Sequence, residues 1–137
     1  MTTLDIQAIR YINLLDNTAR VRTRKCFVYN NNVIFAVPGS LVSKAIGQDA
    51  RNVRFIQEKL GRRVRVIKES LGPEDAERFV REIVAPVGFK SLDIKEGMLV
   101  LNAGAQSKAA LIGRNKRRYE ELRRILYDTY SMDLKIV

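Results

Sequence analysis

The feature that most constrains this fold is a piece of punctuation used twice. Ala45-Ile-Gly-Gln-Asp-Ala-Arg-Asn-Val-Arg54 and Leu111-Ile-Gly-Arg-Asn-Lys-Arg-Arg-Tyr-Glu120 each set an Ile-Gly pair between an apolar helical run and a basic one. Glycine accepts backbone angles that let a chain stop one helix and begin another within a few residues. Recurrence at matching points of a 137-residue chain is too widely spaced for a solenoid and predicts two copies of one small unit in tandem.

The patterns around the first glycine give an order of elements. From Thr3 to about Asp16, Ile6, Ile9, Ile12 and Leu15 recur every third residue, which predicts an amphipathic helix with Thr3 as its cap. Val21 to Tyr29 and Val33 to Val37, joined by Asn30-Asn31-Asn32, read as a hairpin, because asparagine tolerates left-handed angles. Pro38-Gly39 stops the second strand, and Ser40 is the expected cap of a short helix carrying Leu41, Val42, Ala45 and Ile46. After Gly47 a helix starts at Ala50 or Arg51 with Val53, Ile56 and Leu60 on one side; Gly61 caps it, and Val64 to Ile67 is a strand.

Leu71-Gly72-Pro73 marks a junction, with Pro73 in a first helical turn and Ala76, Phe79, Val80, Ile83 and Val84 on one apolar stripe. The same order then returns. Phe89 to Lys95 and Met98 to Leu101 flank a Glu96-Gly97 turn, Gly104 ends the pair, Ser107 to Ile112 suits a short helix and Gly113 breaks it. A longer helix carries Tyr119, Leu122 and Leu126, and Leu134 to Val137 is a last short strand. The expected units are residues 1–70 and 71–137, and so short a junction predicts a nearly constant relative orientation.

Charge narrows the partner. The formal net charge is +10 and the sequence pI about 10.1, which favours a polyanion, nucleic acid ahead of an anionic membrane surface. No run approaches a transmembrane span and the start of the chain does not resemble a signal peptide, so the expected compartment is the cytoplasm. Cys26 is the only cysteine and there is no histidine, which removes an intrachain disulfide, the usual zinc sets and the commonest general base. Glu74-Asp75 and Glu120-Glu121 are the notable acidic clusters, and sequence neighbours on a helix do not converge on one substrate. No P-loop or dinucleotide fingerprint occurs. The expectation is a protein that is not an enzyme and takes no cofactor, metal or small-molecule substrate.

A helix, a tight glycine turn and a second helix bring a helix N-terminus to the surface, where backbone N–H groups and the positive dipole end suit a phosphate. The cations that follow add charge: Arg51 and Arg54 in the first copy, Arg114, Lys116, Arg117 and Arg118 in the second.

With this order and these turns, each half resembles a KH domain of the bacterial (type II) topology, whose signature is Ile-Gly-x-x-Gly between two helices. The tandem pair resembles the archaeal NusA-like transcription factors, over nearly the whole chain. The resemblance implies an α+β fold of two tandem type II KH domains, each a small three-stranded mixed sheet packed on one side by helices. It also implies binding of single-stranded RNA, the nascent transcript, whose backbone the turns clamp while the bases lie in an apolar groove. RNA polymerase is a further implied partner, in transcription elongation or termination. By resemblance the RNA-binding set is Gly47, Gln48, Asp49 and Ala50 with Lys44, Arg51 and Arg54 in the first copy. In the second it is Gly113, Arg114, Asn115 and Lys116 with Lys108, Arg117 and Arg118.

Both turns depart from the family pattern, because the fourth glycine is Ala50 in one and Lys116 in the other. Asp49 sets a negative charge beside the expected phosphate, which weakens the first turn unless its carboxylate caps the following helix. The second turn is thus the expected stronger electrostatic site. Ile46 and Ile112 are read as core anchors rather than base contacts, and Val53 and Tyr119 as packing. Tyr11, Tyr29, Tyr127 and Tyr130 form no stacking pattern, and Cys26 is read as a small buried hydrophobe. The competing function is an RNA-binding assembly factor of ribosome biogenesis or RNA processing.

Overall fold

The computed structural model describes residues 6–137; the Thr3 cap lies outside the described residues. The chain divides into two compact units, with the boundary between Glu69 and Ser70. Each is α+β with a three-stranded mixed sheet.

The first unit runs α1 (Ile6–Ala19), β1 (Lys25–Tyr29), β2 (Asn32–Val37), α2 (Val42–Ile46), α3 (Arg51–Leu60) and β3 (Arg63–Lys68). The hairpin turn is two residues, Asn30 and Asn31, at φ 50° and 63°, so Asn32 is already in the strand opposite Tyr29. Two left-handed residues give the turn whose twist matches the strands. β1 and β2 are antiparallel and β2 and β3 parallel, the latter with Val33 beside Val64 and Phe35 beside Val66. Parallel pairing needs a crossover, and α2 and α3 supply it. Val33, Phe35 and Val37 alternate along β2 into a core shared with Leu15, Ala45, Ile56 and Val64, which sets all three helices on one face.

The second unit repeats this with α4 (Ala76–Val84), β4 (Ser91–Lys95), β5 (Met98–Asn102), α5 (Ala105–Ile112), α6 (Arg117–Tyr130) and β6 (Asp133–Ile136). Glu96 and Gly97 make the matching turn at φ 52° and 73°, and β5 pairs antiparallel with β4 and parallel with β6. Ala76, Phe79, Val80, Ile83 and Val84 are all buried, as their spacing predicts.

Two local expectations are corrected. The face α1 buries is Tyr11, Leu15 and Ala19, whereas Ile6 and Ile9 are 78% and 44% exposed. A row at every third residue drifts round a helix of 3.6 residues per turn, while a row at every fourth follows the core more closely. Ser40 caps nothing: a 3₁₀ turn, Gly39–Leu41, precedes α2, and neither Pro38 nor Leu41 at the two helix starts makes a side-chain cap. Cys26 is a buried side chain of that core and is in no disulfide.

Candidate nucleic-acid interface

The two glycine turns are backbone copies of each other. Gly47 has φ 81° and ψ 164°, Gly113 φ 75° and ψ 172°. At the third position Asp49 (54°, 33°) matches Asn115 (56°, 31°), and at the fourth Ala50 (59°, 28°) matches Lys116 (59°, 24°). The hydrogen bonds match as well: the Gly47 and Gly113 N–H groups close the preceding helix at 2.9 Å in both, and the fourth residue returns an N–H to the glycine carbonyl at 3.1 and 3.2 Å.

The first glycine is dictated twice over. Its φ is left-handed, and a Cβ there would lie 2.8 Å from Asn52 Nδ2 at Gly47 and 2.7 Å from Arg118 Cγ at Gly113, with the backbone nitrogen of the same neighbour at 3.0 Å in each. The chain passes so close to the start of the next helix that no side chain fits between. The third and fourth positions are also left-handed, which explains why asparagine and aspartate, the non-glycine residues best suited to it, stand at the third.

Different side chains hold the two turns. In the first, Asn52 donates Nδ2 to the Lys44 carbonyl at 3.1 Å, tying α3 to α2, and the Arg54 guanidinium donates to the Asp49 carbonyl. In the second, Arg118 lies over Gly113 and pairs with Glu121 at 3.2 Å, its side chain only 19% exposed. Arg54 and Arg118 are therefore engaged with their own unit. The Asp49 carboxylate does not cap α3, and neither α3 nor α6 has a side-chain cap among the described residues. The first N–H groups of such helix starts have no intrahelical acceptor.

Of the remaining predicted residues, Gln48, Asp49 and Arg51 are exposed around the first turn, with Ala50 half-buried, and Arg114, Asn115, Lys116 and Arg117 are exposed around the second. The structure thus gathers three exposed cations at the second turn, Arg114, Lys116 and Arg117, and two at the first, Arg51 and the carbonyl-bound Arg54, beside an exposed carboxylate. Lys44 and Lys108 are both exposed but not equivalent. Lys44 stands three residues before its glycine and Lys108 five before its own, which turns the two by about 200° around their helices.

Ile46 and Ile112 are half-buried rather than core; the buried anchors are the residues before them, Ala45 and Leu111. Val53 packs against the first core, and Tyr119 packs half-buried with its hydroxyl donating to the Leu134 carbonyl at 2.7 Å. The acidic clusters are tied to arginines: Asp75 to Arg78, Glu120 to Arg123 and Glu121 to Arg118. Arg123 also grips Asp133 at 2.6 and 3.2 Å, and Asp133 Oδ1 accepts from the Leu134 N–H at 2.8 Å. That hydrogen bonding holds the Asp133 carboxyl below the usual carboxylate range. Among the described residues no helix is long and apolar enough to cross a membrane.

Sequence reasoning missed Asn52 and Phe55. Asn52 follows from the turn geometry, since the residue five past the glycine is the one it meets. Phe55 is a large aromatic left 43% exposed on a basic helix; its spacing from Ile56 and Val53 places it off the apolar stripe, and that was a readable signal.

No family model matches the chain. Two curated relatives do, both named "Probable transcription termination protein NusA". That of Halococcus morrhuae is 28% identical over 134 residues, 96% of this chain and 94% of the relative. That of Methanocaldococcus jannaschii is 26% identical over 127 residues, 90% of this chain and 68% of the relative. Among solved structures, the crystal structure of APE1850 matches with TM-score 0.68 at 24% identity, covering 98% of this chain and 100% of that one. The last likeness concerns the fold alone.

Proposed function

From the premise that the chain is NusA-like over nearly its whole length, we propose that it is a non-enzymatic RNA-binding factor of transcription termination or elongation. In this reading the two units are tandem type II KH domains that hold single-stranded RNA at their glycine turns, in the cytoplasm and with RNA polymerase as partner. The observation that carries it is the identity of the two turns in backbone, each presenting uncapped helix N–H groups next to exposed cations. A mere helix stop needs neither the left-handed third and fourth residues nor the charge.

The binding set is the one expected above, with its members unequal. Gln48, Ala50 and Arg51 in the first turn and Arg114, Asn115, Lys116 and Arg117 in the second lie where a phosphate reaches backbone N–H groups and cations together. Arg54 and Arg118 act through the turns they brace. Lys44 and Lys108 supply outlying charge, and Asp49 opposes it. Two modest sites on one chain raise the effective concentration of the strand at the second once the first is occupied.

The test is anisotropy of labelled single-stranded RNA, duplex RNA and single-stranded DNA over a salt series. Each phosphate contact contributes about −0.7 to the log–log salt slope on a single strand. Single-stranded RNA should bind best, and the Arg114→Ala/Lys116→Ala double variant should weaken it more and flatten the slope more than Arg51→Ala. Equal binding of all three nucleic acids by parent and variants alike would sink the proposal. Co-purification with pre-ribosomal particles instead of polymerase would move the protein to RNA assembly.

A further inference from the structure

The first unit has a groove that the glycine turn does not account for. It is built by α1 and α3 alone, with Leu14 on one wall and Phe55 on the other. Phe55 is 43% exposed there, and the Lys59 ammonium lies 5.4 Å from its ring centroid. Asn17, Thr18 and Asn52 line the same groove, and Arg51 joins it to the turn.

We infer that this groove is a nucleobase pocket: it receives one base of the RNA strand, stacked on Phe55, whose phosphate lies by Arg51 at the first turn. The inference rests on the RNA-binding reading above. An aromatic ring left 43% exposed in an apolar groove, with the flexible Lys59 side chain over it, suits a flat ring, and base–aromatic stacking tolerates any base. The edges suit a base as well. Asn17 and Thr18 offer donors and acceptors, and Asn52, whose Nδ2 is committed to the Lys44 carbonyl, keeps its oxygen as an acceptor. The charged lining residues, Arg51 and Lys59, are both cations, so the occupant is apolar in its body and anionic at its rim. A nucleotide meets both conditions, and Arg51 belongs to groove and turn together.

The second unit does not repeat the residues of this groove. At the positions matching Phe55 and Lys59, counted from the turn glycine, it carries Glu121 and Ile125; Glu121 pairs with Arg118 and Ile125 is buried. The pocket therefore gives the first unit, with fewer cations at its turn, a stacking contact that the matching positions of the second unit do not repeat.

The chain has no tryptophan, so Phe55→Trp installs a single reporter. Its emission should change on saturation with a single-stranded oligoribonucleotide, as judged by anisotropy of the labelled strand, and stay constant with a ribose-phosphate chain of equal length without bases. Phe55→Ala, checked for folding, should lose at least about fivefold in RNA affinity, the lower end of what one stacked base contributes, and should keep the parent salt slope. Bound RNA with silent emission, or Phe55→Ala binding as the parent does, overturns the pocket and leaves the RNA reading standing. Failure of RNA to bind at all overturns both. An emission change with an acidic peptide and none with RNA assigns the groove to a protein partner and overturns the nucleobase.

Discussion

Ala50 and Lys116 share one left-handed backbone conformation, φ 59° in each, at the last position of their turns. Side chains bear a cost of roughly 1–2 kcal/mol there, partly offset because glycine gives up more freedom on folding, about 0.4–1 kcal/mol. Ala50→Gly should therefore stabilise the protein by roughly 0.5–1 kcal/mol in urea unfolding. Lys116→Gly should stabilise it similarly while weakening RNA binding, so that stability and affinity move in opposite directions.

The first glycine of each turn should tolerate nothing larger. Gly113→Ala and Gly47→Ala combine a left-handed φ with a Cβ placed 2.7 or 2.8 Å from a side chain of the next helix. A loss of at least about 1–2 kcal/mol is expected in urea unfolding. A change within experimental error would mean that the turn relaxes at no cost.

Asn52 and Arg54 brace the first turn through backbone carbonyls, those of Lys44 and Asp49. Asn52→Ala should cost about 1 kcal/mol, as for loss of one side-chain hydrogen bond. Arg54→Ala should lower RNA affinity with less flattening of the salt slope than Arg51→Ala, because Arg54 shapes the turn and Arg51 is free to meet a phosphate.

In the second unit, Asp133 ties β6 to α6 through Arg123. Its carboxyl is held below the usual range, first by the Arg123 hydrogen bond and then by the Leu134 N–H. A depressed carboxyl stabilises the fold at pH above its unfolded value and loses that contribution as pH falls toward its folded one. Arg123 stays charged throughout. Thermal midpoints followed from neutral pH into acid should fall less steeply for Asp133→Asn than for the parent, and parallel curves would remove Asp133 from the acid sensitivity.

The sequence carried the order of elements because that order is local. Gly47, Gly61 and Gly113 end their helices where the pattern stops, and both hairpin turns fall at residues that accept left-handed angles. The repeat carried the two matching turns too, since they could be found without knowing what surrounds them. What it did not carry was the work of each cation. Arg51, Arg54, Arg117 and Arg118 look alike in a basic run, yet Arg54 holds a carbonyl and Arg118 lies over a glycine and grips Glu121.

Taken alone, then, the amino-acid sequence determined two α+β units, their element order and the place of their turns, because periodicity and turn chemistry act over a few residues. Only the tertiary structure decided which face of α1 is buried, why Ala45 and Leu111 rather than Ile46 and Ile112 anchor the turns, and that Phe55 opens into a groove with Leu14. Those outcomes depend on what each helix meets across the core, and that partner lies far away in the chain.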